Sequence, residues 1–175
     1  MRYAHLALFA AALVAGPAHG DPVLLDHWDT SAVVDALRAL GATEILVGQG
    51  GAGPSVIART VDGLSVGLFA RACRPPTSDE ASTDCRGLEG MISYDVRARP
   101  DRAALPERLN HRFVAGKFML DASGALRLSR YIGLGGGVTG ENLRAELRDF
   151  FAIGATTAAT LWPAAATSSP TTPRP

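Results

Sequence analysis

A serine between two glycines is the first pattern in this sequence that has the composition of a catalytic motif. Gly63-Leu64-Ser65-Val66-Gly67 matches G-x-S-x-G, with which hydrolases place a nucleophilic serine on a sharp turn from a strand into a helix. Here the motif lies in a run of alternating residues, which predicts a strand that continues to Ala72 with no helix after it. His111 is the candidate base, and nothing in the sequence ties it to Ser65. A hydrolase using Ser65 and His111 is therefore only a minor alternative.

A glycine cluster ahead of the last predicted helix matches the sequence pattern of a phosphate-binding loop. The run 135–140, GGGVTG, satisfies G-x-G-x-x-G. In dinucleotide-binding folds this motif opens a strand-helix-strand unit, but here no second strand follows the helix. The favoured interpretation is that glycine permits the positive φ of a strand-to-helix reversal. Exposed N–H groups at Gly135, Gly136 and Gly137 would still suit an anion, so a small-ligand or anion sensor stays open.

The charged residues of the middle of the chain do not form a recognisable acid–base pair. Acid–base catalysis needs two such groups facing one pocket, whereas a solvated helix face explains most of this set. The set consists of Glu107, Arg108, His111, Arg112, Asp121 and Arg127. We assign no catalytic residue, no metal ligand and no cofactor.

Two cysteines, Cys73 and Cys85, are the only ones in the chain. In an exported protein an even pair predicts a disulfide, with two free thiols or a metal pair as the alternatives. Their spacing is not C-x-x-C, and few histidines are present, which disfavours a metal. A disulfide closing a loop of this length would stabilise the fold by about 3 kcal/mol in the chain-entropy model.

The first residues have the layout of a secretory signal peptide. Arg2 is followed by an apolar run too short to span a bilayer, and small residues precede a cleavage point near Gly20, with Ala18 as the alternative. We expect a periplasmic or secreted bacterial protein without a membrane span. The predicted organisation is a signal peptide at 1–20, an extended segment at 21–28, one domain at 29–162 and a disordered tail at 163–175. The net charge of zero argues against nucleic-acid binding.

The order of predicted elements is α-β-β-β-β-α-β-β-α, an α+β fold with helices packed on an antiparallel sheet. Asp29 or Thr30 is the predicted N-cap of the first helix, which runs through Leu40 and is followed by Gly41 at the C′ position. Asp62-Gly63 predicts a two-residue hairpin. The strands are expected at 43–47, 55–61, 64–72, 88–96, 114–120 and 125–134. The last helix begins near Gly140 and continues only weakly beyond Gly154.

Taken together, these features resemble the YbjN family of bacterial sensory transduction regulators, in its exported form. No single motif is specific, but the ordered set spans residues 30–152. The set comprises an amphipathic helix, a strand at 64–69 running into one cysteine, a second cysteine and strand at 85–96, Leu109-Asn110, strands at 117–120 and 125–131, and the run GGGVTGENLRAEL.

The resemblance implies a fold similar to that of type III secretion chaperones, which bind protein segments and catalyse nothing. The family often carries an aromatic residue after the helix asparagine, where this chain has His111. Asn110, His111 and the glycines 135–137 are therefore candidate binding-surface residues. We expect a non-enzymatic periplasmic protein-binding, chaperone-like or regulatory domain, which binds a protein or peptide through an apolar groove or sheet face. A homodimer stays open.

Overall fold

The structure, a computed structural model, describes residues 24–50, 53–74 and 84–163. Over these residues the helices are α1 Thr30–Ala39, α2 Leu105–Arg112 and α3 Gly140–Leu161, with a 3-10 turn at Arg102–Ala104. The strands are β1 Leu24–Leu25, β2 Thr43–Gly50, β3 Gly53–Arg59, β4 Ser65–Cys73, β5 Cys85–Tyr94, β6 Lys117–Leu120, β7 Leu126–Gly133 and β8 Val138–Thr139.

The strands β2 to β7 form one antiparallel sheet of six strands in the order β2-β3-β4-β5-β7-β6. This confirms the predicted α+β class and the order of its main elements. The short strands β1 and β8 pair with each other in a separate two-stranded sheet, with Leu24 opposite Thr139. They were not predicted, because two residues are too few to show a strand periodicity.

The helices cover one face of the large sheet. Side chains at alternate strand positions, such as Val66, Leu68 and Ile92, are buried in a single core with Leu37 of α1 and Leu147 of α3. The α2 side chains Leu105 and Leu109 belong to the same core. The strand residues between these positions point to the opposite face, which no described element covers.

Both ends of α1 are formed as the sequence predicts. The Asp29 carboxylate accepts hydrogen bonds from the backbone N–H of Ser31 at 2.8 Å and of Ala32 at 3.1 Å. It thereby satisfies two of the amides that a helix leaves unpaired at its start. Leu40 is the C-cap, and Gly41 follows with φ of 76°.

The predicted two-residue hairpin at Asp62-Gly63 is wrong. The backbone N–H of Thr60 donates to the carbonyl of Leu64 at 2.8 Å, which leaves a three-residue loop at 61–63. Gly63 occupies its last position with φ of 78°. Three-residue loops need a left-handed residue at that point, so the glycine serves a longer turn than expected.

The last helix continues without a break through Gly154 to Leu161, further than helix propensity indicates. Gly154 is buried against the sheet, where an added Cβ would lie 2.5 Å from Cδ1 of Ile92. The glycine therefore allows α3 to approach β5 closely, and the packing of the helix outweighs its weak propensity.

Cys73 and Cys85 form a disulfide, as predicted, with a sulfur–sulfur distance of 2.11 Å. They are directly opposite each other on β4 and β5, and Cys85 is fully buried. Among the described residues, no helix is long and apolar enough to cross a membrane. The predicted signal peptide at 1–20 and, apart from Pro163, the tail at 163–175 lie outside the described residues, as does most of the loop between the cysteines.

Candidate binding surfaces

Several large apolar side chains are exposed on the face of the large sheet that the helices leave uncovered. Leu46, Ile57 and Tyr131 expose 66%, 48% and 58% of their surface there. Leu46 and Ile57 are cross-strand partners on β2 and β3, so they form one continuous patch. Large exposed apolar side chains that adjoin in this way mark interaction surfaces more often than isolated ones do.

A shallow groove of about 230 Å³ crosses this face at β3, β4 and β5. Its lining is mainly apolar, with serine hydroxyls at two positions. The residues are Ile57, Ser65, Val66, Gly67, Phe69, Met91 and Ser93. We call this depression the open-face groove; its large apolar side chains on the open face are Ile57, Phe69 and Met91.

Glycine and an ion pair fix the position of Phe69 in the groove. The phenyl ring lies across Gly67, where an added Cβ would be 2.7 Å from two ring carbons. The guanidinium of Arg71 sits 5.3 Å from the ring centroid, and its Nε donates to Glu89 at 2.7 Å. A cation over an aromatic face is favourable, so Gly67 and Arg71 together hold the ring against the sheet.

The structure does not bring Ser65 and His111 together. Ser65 lines the open-face groove at the start of β4, within a strand and without the strand-to-helix turn of a nucleophilic serine. His111 is exposed on α2, and Leu109 of that helix is buried on the other face of the sheet. Helix α2 is held to β6 through hydrogen bonds between Asn110 and Phe118. Since β5 and β7 lie between β4 and β6, the two strands are about 14 Å apart at ordinary strand spacing.

Asn110 has a structural role in this fold. Its carboxamide accepts a hydrogen bond from the N–H of Phe118 at 2.8 Å and donates one to the Phe118 carbonyl at 3.0 Å. The side chain thus satisfies both backbone groups of one residue of the edge strand β6. Since these atoms are engaged with the backbone, Asn110 contributes little to a free binding surface, while His111 beside it remains exposed.

The glycines 135–137 form a turn between β7 and β8. Gly137 donates its N–H to the Leu134 carbonyl at 3.0 Å, and Gly136 and Gly137 have φ of 97° and 91°. The helix itself starts later, after Thr139, whose hydroxyl accepts the N–H of Asn142 at 3.1 Å. The glycines therefore serve the reversal of the chain, and a side-chain cap already occupies one N–H at the start of α3.

The charged residues of the central segment are largely paired with one another. Asp101 accepts hydrogen bonds from Arg99 and Arg108, which hold the pKa of its carboxyl at about 2, against an ordinary value of 3.8. Asp121 pairs with Arg127 at 2.9 Å, and a hydrogen bond from Ser123 lowers its pKa. Over the described ranges, no three His, Cys, Asp or Glu side chains are grouped so as to hold a metal ion.

Sequence reasoning missed one charged residue, Arg130. It lies among the apolar residues of β7, and its guanidinium contacts the Glu146 carboxylate of α3. A single arginine in a strand carries no motif, so only the three-dimensional arrangement reveals its surroundings.

Comparison with known proteins assigns no family to this chain. No protein-family model matches the sequence, and a search of curated proteins found no match either.

Proposed function

We propose that this protein is a non-enzymatic, protein-binding domain of the bacterial periplasm, with a chaperone-like or regulatory role. The observation that carries the proposal is the open-face groove, an apolar surface on a sheet face that no described element covers. The helices fill the core on the other face, whereas no part of the chain that the structure describes packs over this groove. The occupant we propose is an apolar segment of another protein.

The proposed location rests on two features. The first residues have the composition of a signal peptide, and the disulfide between Cys73 and Cys85 suits an oxidising compartment. Membership of the YbjN family, proposed from the ordered set of sequence features, is consistent with this location and with a regulatory role.

The two alternatives draw less support from the geometry. A hydrolase would need Ser65 close to a base, and His111 lies on the other side of the sheet. An anion sensor at the glycine turn would need free N–H groups at the start of α3, where Thr139 provides a cap and Glu141 adds a negative charge.

The test is site-specific photocrosslinking in the native periplasm, with a photoreactive phenylalanine analogue at position 57 of the open-face groove. A second protein carries the analogue at position 61, which is an exposed apolar position outside the groove and serves as the matched control. The proposal expects protein adducts from position 57 and not from position 61. Equal adduct patterns, or none from either position, would contradict it.

A second arm measures whether the groove suppresses aggregation of a chemically unfolded test protein. Ile57→Lys and Met91→Lys place a charge in the groove and should abolish suppression. Val61→Lys adds the same charge in the hairpin loop and should keep it. If all three variants behave like the wild-type protein, the groove is not the binding surface.

A further inference from the structure

The outer edge of β7 is only half covered. Its first four residues pair with β6, from Leu126 opposite Leu120 to Ser129 opposite Lys117. The strand continues to Gly133, and among the described residues no strand pairs with the outer edge of 130–133. The backbone of this segment therefore offers hydrogen-bonding groups to an added strand.

Two adjoining depressions follow this bare edge and share Tyr131 and Glu146. One, of about 340 Å³, lies between the edge and the first turns of α3, next to Val138 and Asn142. The other, of about 400 Å³, ends at Gly116 and Lys117, where β6 begins. We call these two depressions together the β7-edge groove.

A buried cationic group with free donors lies in this groove. The side chain of Arg130 is only 16% exposed, and its Nη2 donates to the Glu146 carboxylate. Its Nη1 is buried and has no hydrogen-bond partner among the described residues. An unpaired buried N–H is unfavourable, and a guanidinium matches the geometry of a carboxylate, so the position suits a carboxylate from a ligand.

We infer that the β7-edge groove binds the C-terminal end of an extended peptide. The peptide backbone would pair with β7 as an antiparallel strand. It would lie on the same side of β7 as β6 and point toward the first residue of β6. A strand with that direction passes Gly133 first and reaches Arg130 last. Its terminal carboxylate then meets the guanidinium of Arg130, which lines this end of the groove.

The position of β6 explains why a chain end is required. Because Gly116 and Lys117 already occupy the next positions along the same line, an added strand cannot continue past Arg130 within the sheet. An internal segment would have to leave the sheet at that point, whereas a chain end simply stops. This site shares no residue with the open-face groove, so either proposal can fail while the other holds.

The test compares three N-acetylated hexapeptides of alternating valine and threonine, measured by calorimetric titration against the full chain. The first has a free C-terminal carboxylate, the second a C-terminal amide, and the third an amide with a glutamate at the fourth position. We expect the free-carboxylate peptide to bind at least tenfold more tightly than either amide. Equal affinity for the first two, or tighter binding of the third, would overturn the assignment, as would no binding of any peptide.

The double variant Arg130→Met with Glu146→Met removes both charges together and should fold, because an ion pair replaced by apolar residues of similar size is often tolerated. We expect it to bind the acid and amide peptides equally. Arg38→Met, which removes a surface guanidinium from α1, should keep the tenfold preference and is the matched control. Acetate alone should not compete at the concentration at which the peptide saturates. Full competition by acetate would show that the added strand contributes nothing, and would overturn the proposal.

Discussion

The phenolic hydroxyl of Tyr94 on β5 donates a hydrogen bond of 3.0 Å to the carbonyl of Gly154 in the middle of α3. Burial raises the pKa of Tyr94, so the hydroxyl stays neutral and remains a donor at ordinary pH. The contact requires the helix to lie almost on the strand, and only a residue without a side chain permits that approach. The pair Tyr94 and Gly154 thus sets the distance between α3 and the sheet.

Gly154→Ala should therefore destabilise the protein, although alanine is the better helix former. The new methyl group would lie 2.5 Å from Cδ1 of the buried Ile92. Overpacking of a core costs about 1–3 kcal/mol, which exceeds the gain in helix propensity of up to about 1 kcal/mol. The measurement is urea unfolding. Gly140→Ala, at the open start of the same helix, is the control and should not be destabilising. Equal effects of the two changes would show that close approach at Gly154 is unimportant.

Asn110→Ala should cost about 1–3 kcal/mol, because it removes two hydrogen bonds and leaves the N–H and C=O of Phe118 unpaired. Hydrogen exchange at the Phe118 amide should accelerate along with the loss of stability. His111→Ala changes the exposed neighbour on the same helix and should stay within about 0.5 kcal/mol of the wild-type protein. If the Phe118 amide were equally protected from exchange in both variants, its protection would not come from the hydrogen bond to the Asn110 carboxamide.

Replacement of both cysteines, Cys73→Ala with Cys85→Ala, should lower the free energy of unfolding by about 3 kcal/mol. The cross-link joins residues 12 apart in sequence, and its loss frees the intervening loop in the unfolded chain. The wild-type protein under strong reductant is the control, and its urea midpoint should fall in the same way. An unchanged midpoint in the double variant would mean that the disulfide does not stabilise the fold.

The stability of the protein should fall as the pH drops from about 4 to about 2. The folded-state pKa of Asp101 is about 2 and its ordinary value is 3.8, so between these values the unfolded chain binds more protons than the folded one. The stabilisation by Asp101 is therefore complete above the ordinary value and is lost below it. Melting temperatures across this range test the claim. Asp101→Asn should flatten the dependence, and identical slopes in both proteins would refute it.

Local patterns predicted most of the secondary structure. The cap at Asp29 and the glycine at Gly41 marked both ends of α1, and alternation marked the strands. The continuation of α3 through Gly154 could not be predicted, because it depends on the packing of a residue on β5. The three-residue loop ending at Gly63 was missed for a local reason, since two-residue and three-residue loops can both end on a glycine.

The sites depend on the arrangement of the strands, which is less visible in the sequence. Alternation indicates that Ile57, Phe69 and Met91 share one face, but not that this face is uncovered. The bare edge beside Arg130 arises because β6 is short and lies outside β7, which no local pattern shows. The distance between Ser65 and His111 follows from the same strand order.

The pairing of β1 with β8 also bears on how the protein folds. The hairpins of the large sheet join neighbours in sequence, so they form with little loss of chain entropy. Leu24, by contrast, meets Thr139, which follows all six strands of the large sheet in sequence. During synthesis from the N-terminus, β1 has no partner until the whole large sheet has been made and, of the described elements, only α3 is still to follow. The β1–β8 pair should therefore be among the last contacts to form.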